Sequence, residues 1–146
     1  MTITDKTDRT QTDALTFELE LRHAPEKVWR ALTDPVLLSE WLLPAFNLKL
    51  EAGANFTLQT QAFPGWDGKV NCQFVEIEAA RKLSYTWRAM EIDTVVTFTL
   101  TPTASGTHLT LVQAGFKADQ KQAFGGARYG WNMMGTKLLE LLERIA

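Results

Sequence analysis

The chain is poor in the side chains that most catalytic sites are built from. Of its 146 residues one is cysteine, two are histidine and three are serine. Cys72 therefore has no internal partner for a disulfide, and Ser39, Ser84 and Ser105 all lack the context of a nucleophile elbow. His23 stands just before a helix start and His108 on the outward side of a strand pattern. Neither has partners at ligand spacing, so no hydrolytic triad and no zinc or iron site is expected. No phosphate loop or dinucleotide fingerprint occurs; Gly125, Gly126 and Gly130 lack the spacing and the preceding strand, and no cofactor is expected. Charge of one sign is equally scarce. The net charge of -2, with lysines and arginines scattered, gives no footprint for nucleic acid. No apolar run approaches the ~20 residues that span a bilayer. The amino-terminal MTITDKTDRTQTD lacks the basic-then-apolar order of a secretory signal. A cytoplasmic protein that binds neither membrane nor nucleic acid is expected, as a monomer or a homodimer. Asp67, Glu91 and Asp93 fall in loop patterns and read as solvated surface charge.

What the chain does have is apolar patterning, at 45% hydrophobic residues, enough for one sizeable core. Residues 1–13 are polar and aperiodic and are expected to be a disordered tail, with residues 14–146 forming a single domain. Leu15, Phe17, Leu19 and Leu21 then alternate with Thr16, Glu18 and Glu20, which predicts a half-buried strand. Pro25 opens a short helix with Val28, Trp29 and Leu32 on one face, and Trp29 is expected to be wedged into the core. Asp34 and Pro35 repeat the signal as cap and first-turn proline of a second short helix.

From Ala45 to Gly115 the period is two. Phe46, Leu48 and Leu50 predict a strand that hairpins through Gly53 into Phe56 and Leu58. Pro64, Gly65 and the Asp67, Gly68 pair predict a turn into Val70, Cys72 and Phe74. The apolar phase then slips to Val75 and Ile77, which predicts a bulge. Leu83, Tyr85 and Trp87, then Val96, Phe98 and Leu100, then Leu109, Leu111 and Gln113 mark the inward faces of three more strands.

The last segment, from Asp119 to Ala146, is the one stretch long enough for a long helix. Phe124, Ala127, Trp131, Met134, Leu138, Leu141 and Ile145 share a face, and Asp119 with Gln122 can cap the start. Gly125, Gly126, Gly130 and Gly135 interrupt it, each costing about 1 kcal/mol against alanine. In the plainer of two readings, Gly125 and Gly126 form a loop or kink and the helix begins near Ala127. In the other, the missing side chains leave room beneath the helix. Short turns make the strands an antiparallel meander with one apolar face, and the long helix is the element able to cover it. The class is α+β: a curled sheet of about six to seven strands around a carboxy-terminal helix, with two short helices after strand one.

The segments HAPEKVWRALTDPVLLSEWLLP, GKVNCQFVEIEAARKLSYTW, LTLVQAGF and GWNMMGTKLLELL resemble the family of homologues of the activator of the heat-shock-protein-90 ATPase. That family is part of the START-like (SRPBCC, Bet v 1-like) superfamily. The resemblance implies a helix-grip fold with a cavity between sheet and helix. It departs at Leu42, where similar sequences carry a second tryptophan, and at Gln113, near which they carry a histidine. Its implication for function is the binding of a small apolar or aromatic molecule, with no assigned chemistry. A heat-shock chaperone as partner is one alternative. A polyketide cyclase or aromatase-like enzyme, in which Tyr85, Arg88 or Gln113 orients a substrate, is another. The candidate cavity residues are Trp41, Phe56, Cys72, Tyr85, Trp87, Phe98, Gln113, Gly130, Trp131 and Met134, with Gln113 and Tyr85 as the polar groups.

Overall fold

The computed structural model describes residues 3–8, 10, 12–61 and 66–146. The expected turn at Pro64 and Gly65 lies outside them. Eight strands form one antiparallel sheet: β1 (Ile3–Asp5), β2 (Ala14–Leu21), β3 (Ala45–Phe46), β4 (Asn55–Gln59), β5 (Lys69–Glu78), β6 (Lys82–Ala89), β7 (Ile92–Pro102) and β8 (Thr107–Ala114). Their order across the sheet is β1-β2-β8-β7-β6-β5-β4-β3. Hairpin turns pair neighbours in sequence from β3 to β8, and β2 closes against β8 with Leu15 opposite Gln113 and Leu21 opposite Thr107. Alternation decides which face is buried: Leu109, Leu111 and Gln113 point in, and His108 lies on the other face. The register shift between Phe74 and Glu76 is the expected bulge, and it turns Val75 out to solvent.

Helices α1 (Pro25–Thr33) and α2 (Pro35–Trp41) each begin on a proline, whose missing N–H would have no partner in a first turn. The Asp34 carboxylate accepts from Val36 N at 2.9 Å and caps α2. Trp41 Nε1 donates to Ala31 O at 2.8 Å, which locks α2 on α1. The long helix α3 (Lys121–Arg144) covers the apolar face of the sheet.

Four expectations are corrected. Ile3–Asp5, within the stretch expected to be a disordered tail, is an edge strand, because Ile3 fills the notch above Gly135 and Asp5 reaches Arg128 on α3. The strand expected from Phe46 to Leu50 stops at Phe46. Asn47 turns the chain at φ +59°, a conformation asparagine tolerates, and Phe46 and Leu50 stay exposed. Trp29 is only half-buried: the inward face of α1 is Val28, Ala31 and Leu32, and the indole lies on its flank. Lastly, α3 runs unbroken through Gly125 and Gly126, and Asp119 and Gln122 do not cap it. A turn closed by Gln120 N to Lys117 O, with Gln120 Oε1 accepting from Lys117 N, sets the start instead.

At Gly106, before β8, an added Cβ would strike Leu21 O and lie 2.7 Å from His23 N, both fixed backbone atoms. Gly106→Ala should therefore cost at least ~2 kcal/mol in urea denaturation; a loss inside error would show that the β2 and β8 ends do not pack this closely.

Candidate functional site

The two halves of α3 meet the sheet differently. Its carboxy-terminal half buries Leu138, Leu139, Leu141 and Leu142. Its amino-terminal half carries glycines on the flank beside that buried face, Gly126 exposed and Gly130 half-buried. A Cβ at Gly126 would meet nothing within 4 Å, and one at Gly130 would touch only the Met134 methyl at 3.7 Å. Beside these glycines lies a cavity of about 990 Å³.

Four parts of the chain enclose it. Gly126, Ala127, Gly130, Trp131, Met133 and Met134 come from α3, and Trp87, Ala89, Met90, Glu91 and Ile92 from the β6 to β7 hairpin. Gln113 of β8 and Asp119 and Gln120 before α3 form one end, while Leu43, Thr60, Trp66 and Val70 form the far wall. The mouth is open to solvent, with Met90 72% and Met133 46% exposed. Met90 holds φ +56°, a conformation a non-glycine residue adopts at some cost, and this turn places its thioether at the rim.

Of the ten expected site residues, Trp87, Gln113, Gly130, Trp131 and Met134 line the cavity. Trp41, Phe56, Cys72, Tyr85 and Phe98 do not; all five are packed in the core. Phe56 stacks on Phe74 at 4.6 Å and meets Tyr85 at 5.2 Å, Tyr85 meets Phe98 at 6.1 Å, and Phe98 meets both Trp41 and Trp131 edge-on. The inward aromatics of β4 to β7 thus fill one end of the space under α3 and leave the other open. Sequence reading missed Met90 and Ile92 because turn geometry, not alternation, puts them at the site. Gly126 was visible as a helical glycine four residues before Gly130, the spacing that puts both on one face.

The polar floor is a closed chain of hydrogen bonds. Trp131 Nε1 donates to Gln113 Oε1 at 2.7 Å, Gln113 Nε2 to Thr94 Oγ1 at 3.0 Å, and Thr94 Oγ1 to Trp87 O at 2.9 Å. Gln113 thereby has a protein partner on each side and fixes two wall tryptophans. At the rim, Gln120 Nε2 donates to Glu91 O at 2.9 Å and ties the start of α3 to the hairpin.

Apart from Glu91 and Asp119 at the rim, groups suited to proton transfer are placed away from the cavity. Burial raises the Tyr85 hydroxyl well above its ordinary 10.0, with the Cys72 thiol adding to the shift, so it stays protonated at neutral pH. Burial likewise pushes Cys72 up to about 12, against a smaller lowering from the Leu58 backbone hydrogen bond. Arg88 faces the other side of the sheet and holds Asp93 at 2.9 Å. His108 sits there too, with Nε2 2.8 Å from Glu18 and Nδ1 against Glu20. His23 Nδ1 is 3.2 Å from Lys27 Nζ, at the end of the sheet where Thr107 Oγ1 donates to His23 O. Among the described residues no cluster of three histidine, cysteine or carboxylate side chains is arranged to hold a metal. No described helix is long and apolar enough to cross a membrane.

Residues 22–143 match the family model described as Activator of Hsp90 ATPase homolog 1-like protein. The crystal structure of protein MLL2253 from Mesorhizobium loti is similar at 41% identity and a TM-score of 0.83, covering 91% of this chain and 98% of that one. Protein NE0264 from Nitrosomonas europaea is 26% identical, with a TM-score of 0.75 over 90% of this chain and 95% of that one. CalU16 from Micromonospora echinospora, at 19% identity and 0.66 over 97% and 88% of the two chains, shares the fold. No protein of curated function matches the sequence.

Two outcomes follow from this geometry. Gln113→Leu should cost ~1–3 kcal/mol in chemical denaturation, because it strips Trp131 Nε1 and Thr94 Oγ1 of a buried partner. A neutral result would mean that water replaces the amide. Cys72 makes stability depend on alkali. The unfolded thiol loses its proton near 9.0 and the folded one near about 12, so the stabilisation is complete below the first value and is lost as pH rises towards the second. Tyr85 acts in the same direction at higher pH. Urea melts between about pH 9 and about pH 11 should fall less steeply for Cys72→Ala than for the parent; equal slopes would refute the burial effect.

Proposed function

Since the chain belongs to the Activator of Hsp90 ATPase homolog 1-like family, whose fold grips a helix against a curled sheet, we propose that it binds one small, largely apolar or aromatic molecule beneath the amino-terminal half of α3. The single observation that carries the reading is the open cavity beside Gly130, where an added Cβ would touch only the Met134 methyl. Helical glycines cost stability, and here no neighbouring backbone needs the close approach that would otherwise account for them. The void they leave is walled by Trp87, Trp131, Ile92 and Met134, with a few polar groups at one end, which is the make-up of small-molecule sites. A cavity enzyme finds less support, since Tyr85 is sealed in the core and Arg88 points to the opposite face. The chaperone-binding alternative is tested by pull-down with a chaperone middle domain, where no association counts against it.

Native mass spectrometry of gently purified protein tests the proposal by revealing any retained molecule. Gly130 gives a sharper test. Gly130→Ala adds a methyl group that meets only a flexible methionine, so thermal stability should hold or rise by up to about 1 kcal/mol. Gly130→Leu should fill the space and lower the affinity for an apolar fluorescent probe several-fold, as read by titration. Unaltered probe binding in the leucine variant would overturn the site.

A further inference from the structure

The cavity carries charge of one sign. Glu91 in the β6 to β7 turn and Asp119 before α3 stand at its rim, and among the described residues no lysine, arginine or histidine lines it. Neither carboxylate has an ion-pair partner among the described residues, whereas the neighbouring Asp93 is matched by Arg88. Of the cations near the site in sequence, Lys117 and Lys121 flank Asp119 but do not line the cavity, and two arginines are held off it. Arg128 lies between Gly126 and Gly130 on α3, but its guanidinium rests over the Phe124 ring and sits 3.0 Å from Asp5 of β1. Arg88 follows Trp87 directly, and strand alternation puts it on the far face.

Inside the rim the surface is π-faced and soft. The Trp87 and Trp131 rings lie 5.4 Å apart at a tilt of 53°, and the thioethers of Met90, Met133 and Met134 border them. Aromatic faces attract cations, the more so where water is partly excluded. An anionic amphiphile would instead bring its charge beside two carboxylates, with no basic side chain among the described lining residues to receive it.

We propose that the molecule bound here is an organic cation: an apolar or aromatic body seated among the tryptophans, with an ammonium or other protonated nitrogen at the Glu91 and Asp119 end. This rests on the cavity being the binding site, and it assigns the charge of the ligand and the residues that read it. Gln120 and Gln122 supply neutral donors and acceptors around that end.

The test uses three naphthalene probes that share one ring system and bear a trimethylammonium, a hydroxymethyl or a sulfonate group. Each is titrated by calorimetry into the full chain at low and at moderate salt. The cationic probe should bind roughly fivefold or more tighter than the neutral one, the sulfonate should bind weakest, and salt should narrow the spread. Glu91→Gln with Asp119→Asn should abolish the ranking. Glu78→Gln with Glu140→Gln makes the same change in net charge on remote, exposed positions and should preserve the ranking. Equal binding of all three probes, tightest binding of the sulfonate, or a preference that survives the rim variant overturns the inference while leaving the cavity reading intact. Absence of binding by every probe, the neutral one included, overturns both.

Discussion

One helix has to cover a sheet face that it can fill only half-way. The leucines of α3 are concentrated after Gly135, and over that half the contact is dry and complete. Before it the helix packs Phe124 against Phe116 and otherwise offers mainly glycine, alanine and methionine. The junction is Trp131, 1% exposed, whose ring packs against Phe98 on the filled side and Trp87 on the open side. Its one donor is committed to Gln113, so the helix is fixed on the sheet by a directional bond where apolar packing runs out. The Gln120 bond to Glu91 O and the Arg128 ion pair with Asp5 hold the same half of the helix from its two sides. The open volume is thus maintained by a polar chain that runs along its floor.

The same arrangement separates reactivity from access. The thiol and phenol with the greatest chemical potential are enclosed where the sheet is best packed, and burial suppresses their ionisation. The residues that reach the open end are indoles, thioethers and amides, with carboxylates only at the rim. Such a surface recognises shape and charge and offers few groups that could make or break bonds.

Much of the architecture was legible because periodicity two is a strong signal when one face is buried. The inward faces of β5 to β8, the bulge beside Val75 and the outward position of His108 all follow from it. Pro25 and the Asp34, Pro35 pair marked α1 and α2 for an equally local reason. The misreadings arose where tertiary contacts decide. Ile3–Asp5 is too short and polar to signal a strand, and it is ordered by a notch in a helix more than a hundred residues away. Phe46 to Leu50 alternates as a strand should, yet one left-handed residue diverts it. For the site, sequence could identify which aromatics face inward but not which end of the sheet they fill. That depends on the registration of α3, so Phe56, Tyr85 and Phe98 became packing while Trp87 and Trp131 became wall. The rim residues of the β6 to β7 hairpin owe their place to a turn conformation that no apolar pattern reports.

The order of the strands has a consequence for the behaviour of the chain among its own copies. The longest strands, β5 with 10 residues and β7 with 11, are interior, paired on both sides. The two at the margins, β1 and β3, have 3 and 2 residues. A sheet margin is where unpaired amides and carbonyls can template another molecule, and short margins give such growth almost no length on which to begin. The stub at β1 is further occupied by its ties to α3, through Ile3 and Asp5. The β-rich chain therefore protects itself against edge-to-edge polymerisation by keeping its most adhesive segments in the middle of the sheet.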